Sequence, residues 1–197
     1  MSQLHQMQVT YAPVEDRLLF RVNTRQRQEF RFWMTRRYVA LLWKTILGHL
    51  RTTQDEGADE PEKSEDEAPA EQPPTSSAKT PEPLKDAIIA KEHEEQVAKS
   101  DFKTQYQESS YLPLGEQPLL LYGIGIKKGG PNKEHSILCM HPPKGEGIEI
   151  SLNDQITHSL CRLVADATKK ADWGLDLEFS QASRYFPGKG GDGPGLN

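Results

Sequence analysis

The chain has two cysteines, Cys139 and Cys161, in 197 residues, so no disulfide framework organises it. Both lie in apolar settings, one on an expected strand and one on an expected helix, where a buried free thiol is the default. Long hydrophobic runs are also missing. The longest, residues 119–126, is broken by Gly123 and Gly125 and falls far short of the roughly 20 apolar residues that a membrane-spanning helix needs. Near the N-terminus, Glu15, Asp16 and Arg17 stand where a signal peptide would carry an apolar stretch. These absences lead to the expectation of a reducing, cytoplasmic setting with no membrane partner.

Catalytic and metal signatures are absent as well. There is no Cys-x-x-Cys and no His-Glu-x-x-His, so His135, Cys139 and His141 on one strand, and His158 and Cys161 on the following helix, do not have the spacing of a zinc site. The glycines of residues 122–130 open a hairpin, whereas phosphate-binding loops open a helix. No cofactor and no enzymatic activity are expected.

Aromatic and aliphatic β-branched residues are missing from one whole stretch, residues 51–83, which is rich in Glu, Asp, Pro, Ser, Thr and Ala. Such a segment cannot bury enough apolar surface to offset the entropy of ordering its backbone, and it is expected to be a disordered acidic linker. The charge follows the same division. Residues 1–50 hold eight Lys/Arg against three Asp/Glu and residues 51–83 three against ten, so the net charge of -5 averages two opposite blocks.

What remains reads as the same order of elements stated twice. Residues 8–11, 17–22 and 29–34 have the alternation of strands, and Thr35 is placed to cap a helix with Val39, Leu42, Trp43, Ile46, Leu47 and Leu50 on one stripe. Residues 119–126, nearly all apolar, read as a strand buried on both faces. Residues 135–140 and 148–152 follow as strands, and Asn153 caps a second periodic helix to about Ala171. The expected class is α+β: two βββα units, suggestive of pseudo-twofold duplication, around one compact core. Boundaries fall at 1–50, the 51–83 linker, a thinly apolar charged helix at 84–108, the second unit at 111–180, and a flexible Gly-rich tail at 181–197.

The N-terminal hairpin carries the candidate site. Alternation puts Arg17, Arg21 and Arg31 on one face with Trp33, and pairing Arg25 with Glu29 would set Arg21 opposite Trp33. Arg25, Arg27, Arg36 and Arg37 extend the basic patch over the turn and the first turn of the helix, where cations oppose the helix dipole. An anionic partner would account for them, and the acidic linker could itself fold back over the patch. The leading expectation is a non-enzymatic protein-interaction module using this face and the linker. The alternative is nucleic-acid binding through arginines and a stacking indole, masked by the linker.

Overall fold

In the computed structural model, the described residues are 4–57, 81–128 and 135–179. The middle of the expected linker (58–80), the tip 129–134 and the expected tail 181–197 lie outside them.

The fold is α+β, and the described residues form three helices and two sheets. β1 (Leu4–Ala12), β2 (Arg17–Thr24) and β3 (Glu29–Met34) form an antiparallel meander, followed by α1 (Arg36–Gly57). α2 (Glu82–Lys99) comes next, and then β4 (Leu119–Leu120), which joins the first sheet parallel to β3. β5 (Gly123–Lys128), β6 (Ser136–His141) and β7 (Ile148–Leu152) make a second antiparallel meander, followed by α3 (Asp154–Ala171). Both post-meander helices are capped alike: the Thr35 hydroxyl accepts from Tyr38 N at 3.2 Å and Asn153 Oδ1 from Ile156 N at 2.8 Å.

The two meanders share one core. Phe20 and Phe32 of the first sheet, Leu138 and Met140 of the second, Leu42 and Ile46 of α1 and Leu160 of α3 are all within one buried cluster. Each such side chain contributes about 1.5–3 kcal/mol by leaving water. The helices cross over: α3 packs on β1 and α1 on β5. Trp173, just past α3, ties the arrangement to the β1–β2 turn by donating its indole N–H to Asp16 Oδ1 at 2.9 Å.

The structure corrects the sequence-based expectations at four places. The β2–β3 register is Leu19 with Trp33, Arg21 with Arg31 and Asn23 with Glu29, so Arg21 is not opposite Trp33. The turn closes one residue earlier on each strand, with Thr24 N bonded to Gln28 O at 2.9 Å and Arg27 in the left-handed region at φ 58. This displacement of two in the pairing leaves every side chain on the face expected for it.

The apolar run 119–126 is not one strand buried on both faces. It breaks at Leu121 and Tyr122, whose consecutive amides bond to Trp33 O at 2.9 Å and His141 O at 3.0 Å, one in each sheet. Gly123 follows because a Cβ there would meet the His141 ring at 2.1 Å. β5 is half-buried to exposed along its length.

α1 runs on to Gly57, into what was expected to be linker. Beyond its apolar stripe, Arg51 holds Asp86 of α2 through two bonds of 2.8 and 2.9 Å, which gives the last turns something to dock against. α2 ends at Lys99 and does not reach 107–108. Ser100 is extended, and Asp101 accepts from the amides of Lys103 and Thr104 at 2.8 and 3.1 Å, competing with helix continuation. α2 itself is docked: Ile89 is fully buried, Glu92 accepts from Gln54, and His93 meets His158 of α3.

Candidate functional site

The alternation of β2 and β3 divides their residues cleanly. Leu18, Phe20, Val22, Phe32 and Met34 point into the core, whereas Arg17, Leu19, Arg21, Arg31 and Trp33 share the opposite face and are half-buried there. Arg21 and Arg31 stand abreast on neighbouring strands, an arrangement that costs free energy unless carboxylates are close.

Two carboxylates are close. Glu29, 1% exposed, accepts from Arg31 Nε at 2.7 Å with one oxygen and from the Ser109 amide at 2.7 Å with the other. Glu108 pairs with Arg21, whose guanidinium also bonds Gln8 Oε1 and lies 4.8 Å from the centre of the Tyr106 ring. Burial and the nearby Glu29 carboxylate push the Tyr106 phenol well above its ordinary pKa, and its hydroxyl is buried with no hydrogen-bond partner among the described residues.

Glu108 and Tyr106 belong to an extended strap that crosses the sheet near its hairpin end. Polar side chains of three successive strands hold its backbone. Gln6 of β1 bonds Gln105 O at 3.4 Å and Gln107 N at 3.0 Å, Asn23 of β2 bonds Gln107 O at 2.7 Å, and Glu29 of β3 takes the Ser109 amide. The strap then turns along β3, where Tyr111 bridges Gln28 in parallel and accepts from Glu29 N at 2.9 Å, and continues to β4.

Glu29 is the strap's buried anchor on β3. Glu29→Ala is expected to lower stability by about 3 kcal/mol, because it leaves Arg31 without its carboxylate and the Ser109 amide without an acceptor. Limited proteolysis of the variant should add a cut within residues 103–112 that the native chain lacks; an unchanged pattern would show that the strap is held by its other contacts.

Beyond the strap, the same face carries an apolar strip. Leu19 pairs with Trp33 and Trp33 with Leu120, so three apolar side chains lie side by side across β2, β3 and β4, with Arg17 and Arg31 adjacent. Leu120 is 39% exposed and Tyr122, just beyond it, 72%. Arg25 and Arg27 are exposed on the β2–β3 turn, and Arg36 and Arg37 on the first turn of α1.

The structure thus brings Arg17, Arg21, Arg31 and Trp33 together on one face and leaves Arg25, Arg27, Arg36 and Arg37 on the exposed turn and helix start around it. Comparison of the chain with protein families, curated proteins and solved structures gives no match. Sequence reasoning missed Glu29, Tyr106, Glu108, Leu120 and Tyr122 as parts of this surface. Two signals were available: the alternation that puts Glu29 on the face of Arg31 and Trp33, and the unusual apolarity of residues 119–121.

Among the described residues, no three His, Cys, Asp or Glu side chains gather as a metal group. Cys139 lies beside Glu149, which is tied to Lys127 at 2.6 Å, and Cys161 is buried in α3 with its thiol pKa raised by burial. No helix among the described residues is long and apolar enough to cross a membrane.

Proposed function

We propose that the chain is a non-enzymatic protein-interaction module, adaptor or regulatory, that docks a protein partner on the strip Leu19–Trp33–Leu120 and its rim of Arg17, Arg21, Arg25, Arg27, Arg31, Arg36 and Arg37. The observation that carries this reading is the alignment of Trp33 between Leu19 and Leu120 across three strands. Trp, Tyr and Arg are the residues in which interface energy concentrates, and an apolar centre with a charged rim is the usual anatomy. The strap supports it too, since this sheet already holds an extended peptide through Gln6, Asn23 and Glu29. The same reading takes the two meander-and-helix units as a duplication forming one cytoplasmic domain, with the acidic spacer as a second contact surface.

Nucleic-acid binding is the second reading, favoured by three arginines beside an indole on one face. Against it stands the engagement of Arg21 by Glu108 and of Arg31 by Glu29. A phosphate at either guanidinium must share it with a carboxylate already there, whose charge opposes it.

Fluorescence anisotropy with labelled single- and double-stranded oligonucleotides separates the two. The protein reading expects flat traces at physiological salt, both for the native chain and for a version with residues 58–80 replaced by a neutral Gly/Ser spacer of equal length. Nucleic-acid binding would instead give affinity that falls steeply with salt and is tightened by the neutral spacer. In a pull-down, Trp33→Ala should abolish capture that survives moderate salt, at a stability cost below about 1 kcal/mol for a surface site. Retention of the captured protein by Trp33→Ala would remove the strip from the interface.

A further inference from the structure

The two meanders share their order of elements and differ at the outer edge of the third strand. In the first sheet, β3 is not an edge, because Leu119 and Leu120 add to it in parallel beside Phe32 and Trp33. In the second sheet, β7 also follows a second strand and precedes a capped helix, yet among the described residues it pairs with β6 alone. A five-residue edge strand leaves outward N–H and C=O groups able to template another strand.

Beside that open edge lies a cleft of about 470 Å³, within the range of about 300–1,000 Å³ typical of ligand sites. Ile148 and Ile150 of β7 form one wall, and Leu4, Val22 and Phe30, from the hairpin end of the first sheet, form the other. Ile156 of α3 also lines it. The cleft therefore offers a strand edge for backbone pairing together with apolar ground for alternate side chains.

Its charge selects further. Glu149, between Ile148 and Ile150, alternates to the opposite face of β7, where its carboxylate is paired with Lys127 at 2.6 Å. Arg25 lines the same cleft from the β2–β3 turn and is exposed. The charge left for a ligand is positive.

We infer that the β7 edge and its cleft are a second docking site, which receives an extended peptide strand of a partner protein with aliphatic residues at alternate positions and a carboxylate directed to Arg25. It would do for β7 what β4 does for β3, a case of β-strand addition. The inference goes beyond the basic face: Arg25 borders both sites, but Trp33 belongs to the face alone and Ile148 and Ile150 to the cleft alone, so the two can be tested apart.

The test uses the full chain and a fluorescein-labelled peptide copying residues 112–122, the acidic, leucine-rich segment that β3 accepts. Saturable binding is expected, with slowed amide exchange within residues 148–152. N-methylation of the peptide at its copies of Leu119 and Leu121 leaves the protein untouched and should abolish binding by blocking the strand's own donors. Arg25→Glu should weaken binding about fivefold, the scale of an exposed ion pair lost, whereas Trp33→Ala should leave it unchanged. Four results would overturn the proposal: no binding, protection that appears at residues 32–33 through exchange with β4, protection of 148–152 by the protein's own dimerisation without peptide, or binding lost only in Trp33→Ala. The last would assign the peptide to the basic face and leave that reading intact.

Discussion

Replacing Trp43 by alanine is expected to destabilise the fold by about 3–5 kcal/mol, the range for emptying a large aromatic site in a core. Trp43 is 7% exposed on α1 and packs against Phe179 with ring centres 5.0 Å apart. Phe179 in turn lies 4.6 Å from the His93 ring of α2 and 5.9 Å from the His158 ring of α3. The indole therefore anchors a layer in which all three helices and the segment after α3 meet, and little around it can collapse into the space. A single domain has only about 5–15 kcal/mol in hand, so the variant should unfold at clearly lower urea and temperature. Native-like stability would mean that the helix packing around Phe179 is not as described.

The second large effect is a loss of stability in mild acid, centred on the same layer. His93 Nδ1 and His158 Nδ1 are 3.3 Å apart, so one ring must donate and the other accept, and the accepting ring cannot take a second proton without placing two donors face to face. Burial first, then the neighbouring His158 and Arg162, pull the His93 pKa from 6.5 to about 4 against an opposing pull from Asp166. Burial also lowers the His158 pKa, with Glu92 and Asp154 resisting.

The unfolded chain thus takes up protons between pH 6.5 and 4 that the folded chain refuses. The contribution is full above the unfolded pKa and is lost as pH falls toward about 4, amounting to about 2–3 kcal/mol for His93. Urea midpoints measured across this window should fall with pH in the native protein and fall less steeply in His93→Gln. Parallel slopes in the two proteins would show that the histidine pair does not set the acid sensitivity.

Legibility in the sequence divided along physical lines. β3 and β7 begin and end where alternation and turn residues put them, and Thr35 and Asn153 cap the helices that follow, because these features rest on bonds and periodicities only a few residues long. Membership of the Arg/Trp face was legible for the same reason, since alternation alone decides which side of a strand a residue occupies. Its register was not, because closure at Thr24 and Gln28 depends on Arg27 adopting a left-handed conformation that nothing in the composition announces.

The sequence by itself thus determined the class, the two capped helices and the inward and outward faces of β2 and β3. Tertiary structure alone decided what lies on those faces. Tyr106 and Glu108 reach Arg21 from more than eighty positions away, as the sequence separation of the Arg21–Glu108 bond shows. Leu119 to Tyr122 hand the chain from one sheet to the other through consecutive amides. α2, with too thin an apolar stripe to place itself, is seated by Arg51, Gln54 and His158 on two other helices. In each case the partner is chosen by geometry that forms only when distant segments pack, and local periodicity carries no record of it.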